Sequence, residues 1–361
     1  MIKLIKPYIS FDEVEAEFRK TFESGWFTKG PNVESFKKAL CEYTGAKYSH
    51  LTTSATTALT TCLNILNIKA EDEVVVSDFS FPATANVVED LGAVPVFADV
   101  SLETFNMRPE ELERCITKKT KAVIFVDALG NPSGLHEIKK ICESKGLPLI
   151  EDAACAIGSS EKDKKVGNIA DLTCFSFHPR KLLSTGEGGA ILTDSMEWND
   201  ILKVKLEHGA RIEDGKFDFT DFGYNYRLPE LQAIMGLSQI SKLDSIVDSR
   251  SKIRDEFQFQ LEPLGFKAQK INADVRYNVQ SLVFSVPDGL NRDELIKNLK
   301  MLGIETTIGT YCLSGCTFYR KKYNDVQPNA EWLQNNTITF PCHDDVIIDE
   351  VVNKIKNVIN E

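Results

Sequence analysis

Across the first 200 residues, short β-branched or aromatic runs alternate with helical stretches, and that alternation constrains the fold more than any other feature. Glu73–Ser77, Val94–Asp99, Ala122–Asp127, Leu147–Asp152, Leu172–Phe177 and Ala190–Asp194 each read as a buried strand. Between several of them lie amphipathic helical patterns such as Pro109–Ile116 and Gly134–Lys145. Strand, helix, strand in repeated order requires crossover connections, which predicts an α/β fold built on a large, mostly parallel sheet. From about Arg227 a helical pattern runs through Gln232, Leu237 and Leu243 to about Leu264. Beyond it Val279–Val286 reads as a strand, and Arg292–Met301 and Ile348–Ile359 read as helices. The expectation is therefore a large domain over residues 1–245 and a smaller C-terminal α/β domain over residues 246–361.

Charge and composition narrow the function class. A formal net charge of −11 disfavours nucleic acid and anionic lipid as general partners. No apolar run approaches the ~20 residues needed to cross a bilayer, and the opening Met1–Pro7 is too interrupted for a signal peptide. The nine cysteines are scattered and odd in number. Cys312 and Cys316 form the one close pair, with no second pair at zinc-site spacing, so reduced thiols in a cytoplasmic protein and no metal site are expected.

Three segments carry candidate chemistry. Phe175–Lys181 places a lysine just past a strand, held by a Pro turn and followed by the glycine-rich Ser184–Gly189. At the carboxyl edge of a sheet such an amine can be partly desolvated, which frees it to attack an aldehyde; a solvated surface lysine is the ordinary alternative. Glu151-Asp152-Ala153-Ala154-Cys155 directly follows the strand run Leu147–Ile150, about 30 residues before the lysine. A carboxylate there suits a pyridinium nitrogen that must stay protonated, although strand-end aspartates also serve as helix caps. Thr52–Leu59 opens a helix with small hydroxylated residues, whose free N–H groups suit a phosphate; an N-cap explains the same residues. No single segment decides the matter, but the order does: phosphate cup, aromatic segment, strand-end Asp, lysine, glycine-rich loop.

In that order the chain resembles the DegT-type sugar aminotransferases, a branch of the fold-type-I pyridoxal 5′-phosphate enzymes. The likeness runs from Ser24–Pro31 through Phe81–Asn86, His208-Gly209 and Gly223–Leu228 to Pro341–His343. The resemblance implies that Lys181 carries the cofactor as a Schiff base and then shuttles the proton, and that Asp152 pairs with the ring nitrogen. It implies that Ala55, Thr56 and Ser176 hold the phosphate, and that Phe81 stacks on the ring, worth roughly 0.5–1.5 kcal/mol beyond burial. It also implies that Cys155 lies near the phenolic oxygen, that Thr28 and Tyr311 contact substrate, and that Asn225 reaches the phosphate of a neighbouring subunit in a homodimer with shared sites.

Three positions depart from the family pattern: Cys155 stands where Gln or His is usual, Asp127 where His is frequent, and Ser314 where many relatives carry a His near the sugar. The implied reaction moves an amino group from L-glutamate to a nucleotide-linked 4-keto-6-deoxy sugar. A smaller phosphorylated ketone and a silent binding or regulatory relative are the alternatives. Keto-sugar 3-dehydratases of the same fold carry His in place of the lysine, which Lys181 contradicts, and no G-x-G-x-x-G follows an early strand to suggest a nicotinamide enzyme.

Overall fold

The computed structural model describes residues 1–213 and 215–360. Seven strands form its main sheet: β1 (Tyr48–Thr52), β2 (Glu73–Ser77), β3 (Val94–Ala98), β4 (Thr120–Val126), β5 (Leu149–Asp152), β6 (Leu172–Ser176) and β7 (Gly189–Thr193). Their order across the sheet is β1–β7–β6–β5–β4–β2–β3. β7 runs antiparallel to both its neighbours, and the pairs from β6 to β3 are all parallel.

The two-residue period of each strand sends its side chains into separate cores. Val74, Val76, Ile124 and Ile150 pack with Leu59 and Leu63 of helix Ala55–Ile65. Val75, Val123, Phe125 and Leu149 pack on the other face with Leu112 of Pro109–Cys115 and with Leu135 and Ile138 of Leu135–Lys145. Each such side chain contributes about 1.5–3 kcal/mol on full burial. A sheet covered on both faces explains why the strands read as continuous apolar runs.

Helix Leu243–Leu261 joins two cores: Leu243 and Ile246 pack with Phe175, whereas Phe257 and Leu261 pack with Phe340. The second core underlies an antiparallel sheet of β8 (Lys267–Ala268), β9 (Leu282–Ser285), β10 (Thr307–Ile308) and β11 (Thr337–Phe340), in the order β8–β9–β11–β10. Helices Arg292–Met301 and Ile348–Asn360 cover it. The first residues of the chain join this layer, with Ile2 bridging to Ile304 and the Leu4 N–H donating to Glu305 Oε2 at 2.9 Å.

Three elements differ from expectation. β1 was not foreseen; Ser49 and His50 interrupt its apolar character, yet both are buried. The continuous helix expected from Arg227 is two helices, Glu230–Ile240 and Leu243–Leu261, separated by a turn in which the Lys242 N–H donates to the Gln239 carbonyl. The strand expected from Val279 begins at Leu282, because Val279 adopts a left-handed backbone (φ 53°) that cannot enter a pleated ladder. For a β-branched residue that conformation stores about 1–3 kcal/mol.

Candidate active site

The carboxyl ends of β4, β5 and β6 open onto a cleft of about 500 Å³. Asp152 is the last residue of β5 and Ser176 the last of β6; Lys181 lies in the turn that follows. Open α/β sheets place ligands at this edge because successive loops diverge there. Asp152 is buried: its Oδ2 accepts from Thr84 Oγ1 at 2.7 Å and its Oδ1 from the Ala154 N–H at 3.2 Å. Burial pushes its carboxyl above the usual range, opposed by those two bonds and by the charge on Lys181. The Lys181 amine, half-buried, donates to Cys155 Sγ at 3.0 Å.

The cap and the phosphate cup prove to be compatible at the start of helix Ala55–Ile65. Ser54 is extended; its hydroxyl accepts from the Thr57 N–H, and Thr57 Oγ1 accepts from the Ser54 N–H, each at 3.1 Å. That box engages Thr57 and leaves the N–H groups of Ala55 and Thr56 without an intrahelical acceptor, at the positive end of the helix dipole. Both residues line the cleft. Gly189 of β7 passes so close that a Cβ would lie 2.5 Å from the Ser54 carbonyl carbon and 2.7 Å from the Ala55 nitrogen.

Phe81 and Tyr311 stand at the cleft as an edge-to-face pair with ring centroids 6.3 Å apart. They are brought together by a two-residue antiparallel ladder between Phe79–Ser80 and Tyr311–Cys312. Ser314, expected near the sugar, is instead buried and absent from the cleft lining. Its N–H and hydroxyl donate to Asp78 Oδ1 and Oδ2 at 2.7 and 2.6 Å, which anchors the ladder from below. Asp127, another of the three departures, is fully buried beside Glu151. Burial holds both acids above the usual range, Asp127 well above it with the charge of Glu151 adding to the rise, and Glu151 at about 7 with hydrogen bonds from Thr173 and Asp127 opposing it.

Thr28 and Asn225 are exposed and do not line the cleft of their own chain. Their two segments nevertheless meet. Glu230, just after the Asn225 stretch, is buried and accepts from the N–H groups of Gly30, Asn32 and Val33 at 2.8, 2.9 and 3.0 Å. It thereby caps helix Pro31–Thr44, where negative charge is favoured. Thr84 and Gln280 are site residues that sequence reasoning did not find. Thr84 could have been read from its place three residues after Phe81 in the same segment; Gln280 carried no local signal.

These residues fit pyridoxal phosphate. On one cleft stand a buried carboxylate, two helix-terminal amides, the Ser176 hydroxyl and an amine, which match a protonated ring nitrogen, a phosphate and an aldehyde. Among the described residues no helix is long and apolar enough to cross a membrane.

Two relatives match nearly the whole chain. An uncharacterized protein of Methanocaldococcus jannaschii is 34% identical over 99% of this chain and 97% of its own length. The spore coat polysaccharide biosynthesis protein SpsC of Bacillus subtilis is 32% identical over 98% and 96%. The crystal structure of a DegT DnrJ EryC1 StrS aminotransferase from Brucella abortus superimposes with a TM-score of 0.90 at 29% identity, covering 97% of this chain and 96% of that one. Residues 10–359 match the DegT/DnrJ/EryC1/StrS aminotransferase family, and the chain belongs to that family of pyridoxal-phosphate-dependent aminotransferases.

Proposed function

We propose that the chain binds pyridoxal phosphate at Lys181 and transfers an amino group from L-glutamate to the ketone of a nucleotide-linked 4-keto-6-deoxy sugar. The observation that carries this reading is the Lys181 amine at the carboxyl edge of the sheet, 3.0 Å from Cys155 Sγ and within the electrostatic reach of buried Asp152. When bound, the cofactor supplies an aldehyde and an electron-withdrawing ring. The protein's part is then to bind, orient and move protons. The amides of Ala55 and Thr56 and the Ser176 hydroxyl receive the phosphate. Asp152, held by Thr84, keeps a proton on the ring nitrogen, and that cation in turn keeps Asp152 ionised. Lys181 would stand where its amine could carry a proton between the two carbons that flank the transferred nitrogen. Cys155 gives the amine a resting partner, in place of the stronger amide or imidazole donor usual there.

A sugar acceptor is supported by SpsC, named for polysaccharide biosynthesis, and by the aromatic pair Phe81–Tyr311 at the cleft. Arg180 lines the cleft with an exposed side chain, a cation that suits a phosphate-bearing substrate. Ser314 lies outside the cleft, so its departure from the family gives no support to a smaller phosphorylated ketone. Asn225 and Thr28 reach a site only from a second copy, which makes a homodimer with shared sites part of the proposal.

The test is the visible spectrum of the purified protein with pyridoxal phosphate, before and after L-glutamate. A yellow band that glutamate discharges is expected, and Lys181→Ala should lack both the band and turnover. A band untouched by glutamate rejects the donor; near-normal turnover in the variant rejects Lys181. Screening TDP- and UDP-linked 4-keto-6-deoxy sugars against small phosphorylated ketones then decides the acceptor.

A further inference from the structure

A buried segment from the C-terminal part of the chain grips the lysine turn. Gln280 reaches the backbone on both sides of Lys181: its Oε1 accepts from the Leu182 N–H at 2.9 Å and its Nε2 donates to the Arg180 carbonyl at 2.6 Å. Two residues earlier, Asn278 reaches the other partner in the amine–thiol contact. Its Nδ2 donates to the carbonyls of Cys155 and Ile157 at 2.8 and 2.9 Å, and its Oδ1 accepts from the Gln280 N–H at 2.9 Å.

The backbone between these two side chains is the left-handed Val279, fully buried. Arg250 holds it there, donating from Nε to the Val279 carbonyl at 2.8 Å and from Nη2 to the Gln280 carbonyl at 3.1 Å. Gly130 makes room for the other arm: a Cβ there would lie 2.2 Å from Asn278 Oδ1 and 2.7 Å from the Cys155 carbonyl oxygen. Strain in a buried β-branched residue persists only where the surroundings over-determine it. Here the conformation turns two amide side chains, either side of Val279, toward two different loops of the cleft.

We propose that Asn278–Val279–Gln280 is a positioning clamp that holds the backbones of Lys181 and Cys155 in fixed relation, so that the amine is presented to an incoming aldehyde. The clamp rests on the reading that Lys181 is the covalent lysine. Gln280 touches the backbone beside the reacting group and not the group itself, so it is a positioning residue; a displacement near 1 Å at such a group lowers rates about 10²-fold.

The test compares wild type, Gln280→Leu and Gln280→Glu after removal and re-addition of pyridoxal phosphate. Two quantities are followed: the rate at which the visible band appears, and the midpoint of that band's pH titration. The first variant removes both arms of Gln280 at nearly constant volume. The second keeps the acceptor for the Leu182 N–H and loses the donor to the Arg180 carbonyl. Gln280→Leu should slow the band tenfold or more and move the midpoint by a unit or more, with Gln280→Glu between it and wild type. A role in stability alone would lower the melting temperature and leave both quantities in place. Wild-type rate and midpoint in the folded variants overturn the clamp, and if Gln280→Leu does not fold, the same result from Gln280→Glu overturns it. Absence of the band from wild type overturns Lys181 itself, and the clamp with it.

Discussion

Asp127 and Glu151 lie side by side in the sheet interior, with Thr173 Oγ1 donating to Glu151 Oε2 at 2.6 Å. Two carboxyls in one dry site cannot both ionise, so the folded protein holds a proton that the unfolded chain releases. Their folded values are raised, Glu151 to about 7. Their contribution to stability is therefore complete below about pH 4 and is lost as pH rises toward and past 7. Asp127→Asn removes one acid and adds an amide donor for Glu151. It should raise stability by about 1–3 kcal/mol at pH 8 and flatten the dependence between pH 5 and 8. Urea melts at both ends of that range check this, and an unchanged slope would place the pH dependence elsewhere. At this scale the positions of Asp152, ending a strand, and of Lys181, in the turn after the next one, were legible, and both line the cleft. It was silent on Gln280, which acts through backbone groups a hundred residues away. It gave no sign of what Ser314 binds, since its partner Asp78 lies 236 positions distant.

Among elements, strands β2 to β6 were legible because burial on both faces keeps their runs mostly apolar. β1 was not, since a buried Ser and His look polar in sequence. The break at Lys242 was hidden because both flanking helices keep helical periodicity and neither Gly nor Pro marks the junction. The contact between β7 and the start of helix Ala55–Ile65 was equally hidden, although a glycine recorded it. Gly189→Ala should push strand and helix apart, destabilising the fold by about 1–3 kcal/mol. Because the displaced group is the one that leaves Ala55 and Thr56 free, the same variant should also weaken pyridoxal phosphate binding at least tenfold. Equilibrium binding and a thermal melt together test this; lost stability with unchanged affinity would separate the helix start from the phosphate.

At the scale of the whole molecule, hairpin Ala210–Glu213/Lys216–Phe219 exposes Ile212, Phe217 and Phe219, and Phe222 follows it, each more than 60% accessible. Asn225 lies three residues further on. In the proposed dimer this surface is covered, so Phe217→Asp with Phe219→Asp should yield a monomer by sedimentation and weaken cofactor binding tenfold or more. A wild-type monomer with full affinity would reject the shared site. The α/β plan with its large, mostly parallel sheet was legible from the order of elements, whereas the wall that completes the cleft was not, because it includes residues far away in sequence from the lysine turn. Leu4 and Ile5 line the cleft, and Ile2 is fixed between Gly303 and Glu305 by bonds of 2.7 and 3.0 Å. These residues meet partners some 300 positions further along the chain, at roughly 5–20 residues per second an interval of about 15–60 s between the synthesis of the two. During that interval the lysine turn and the helix cup can form while the cleft still lacks one side, so cofactor capture by the nascent chain would precede closure of the site that retains it.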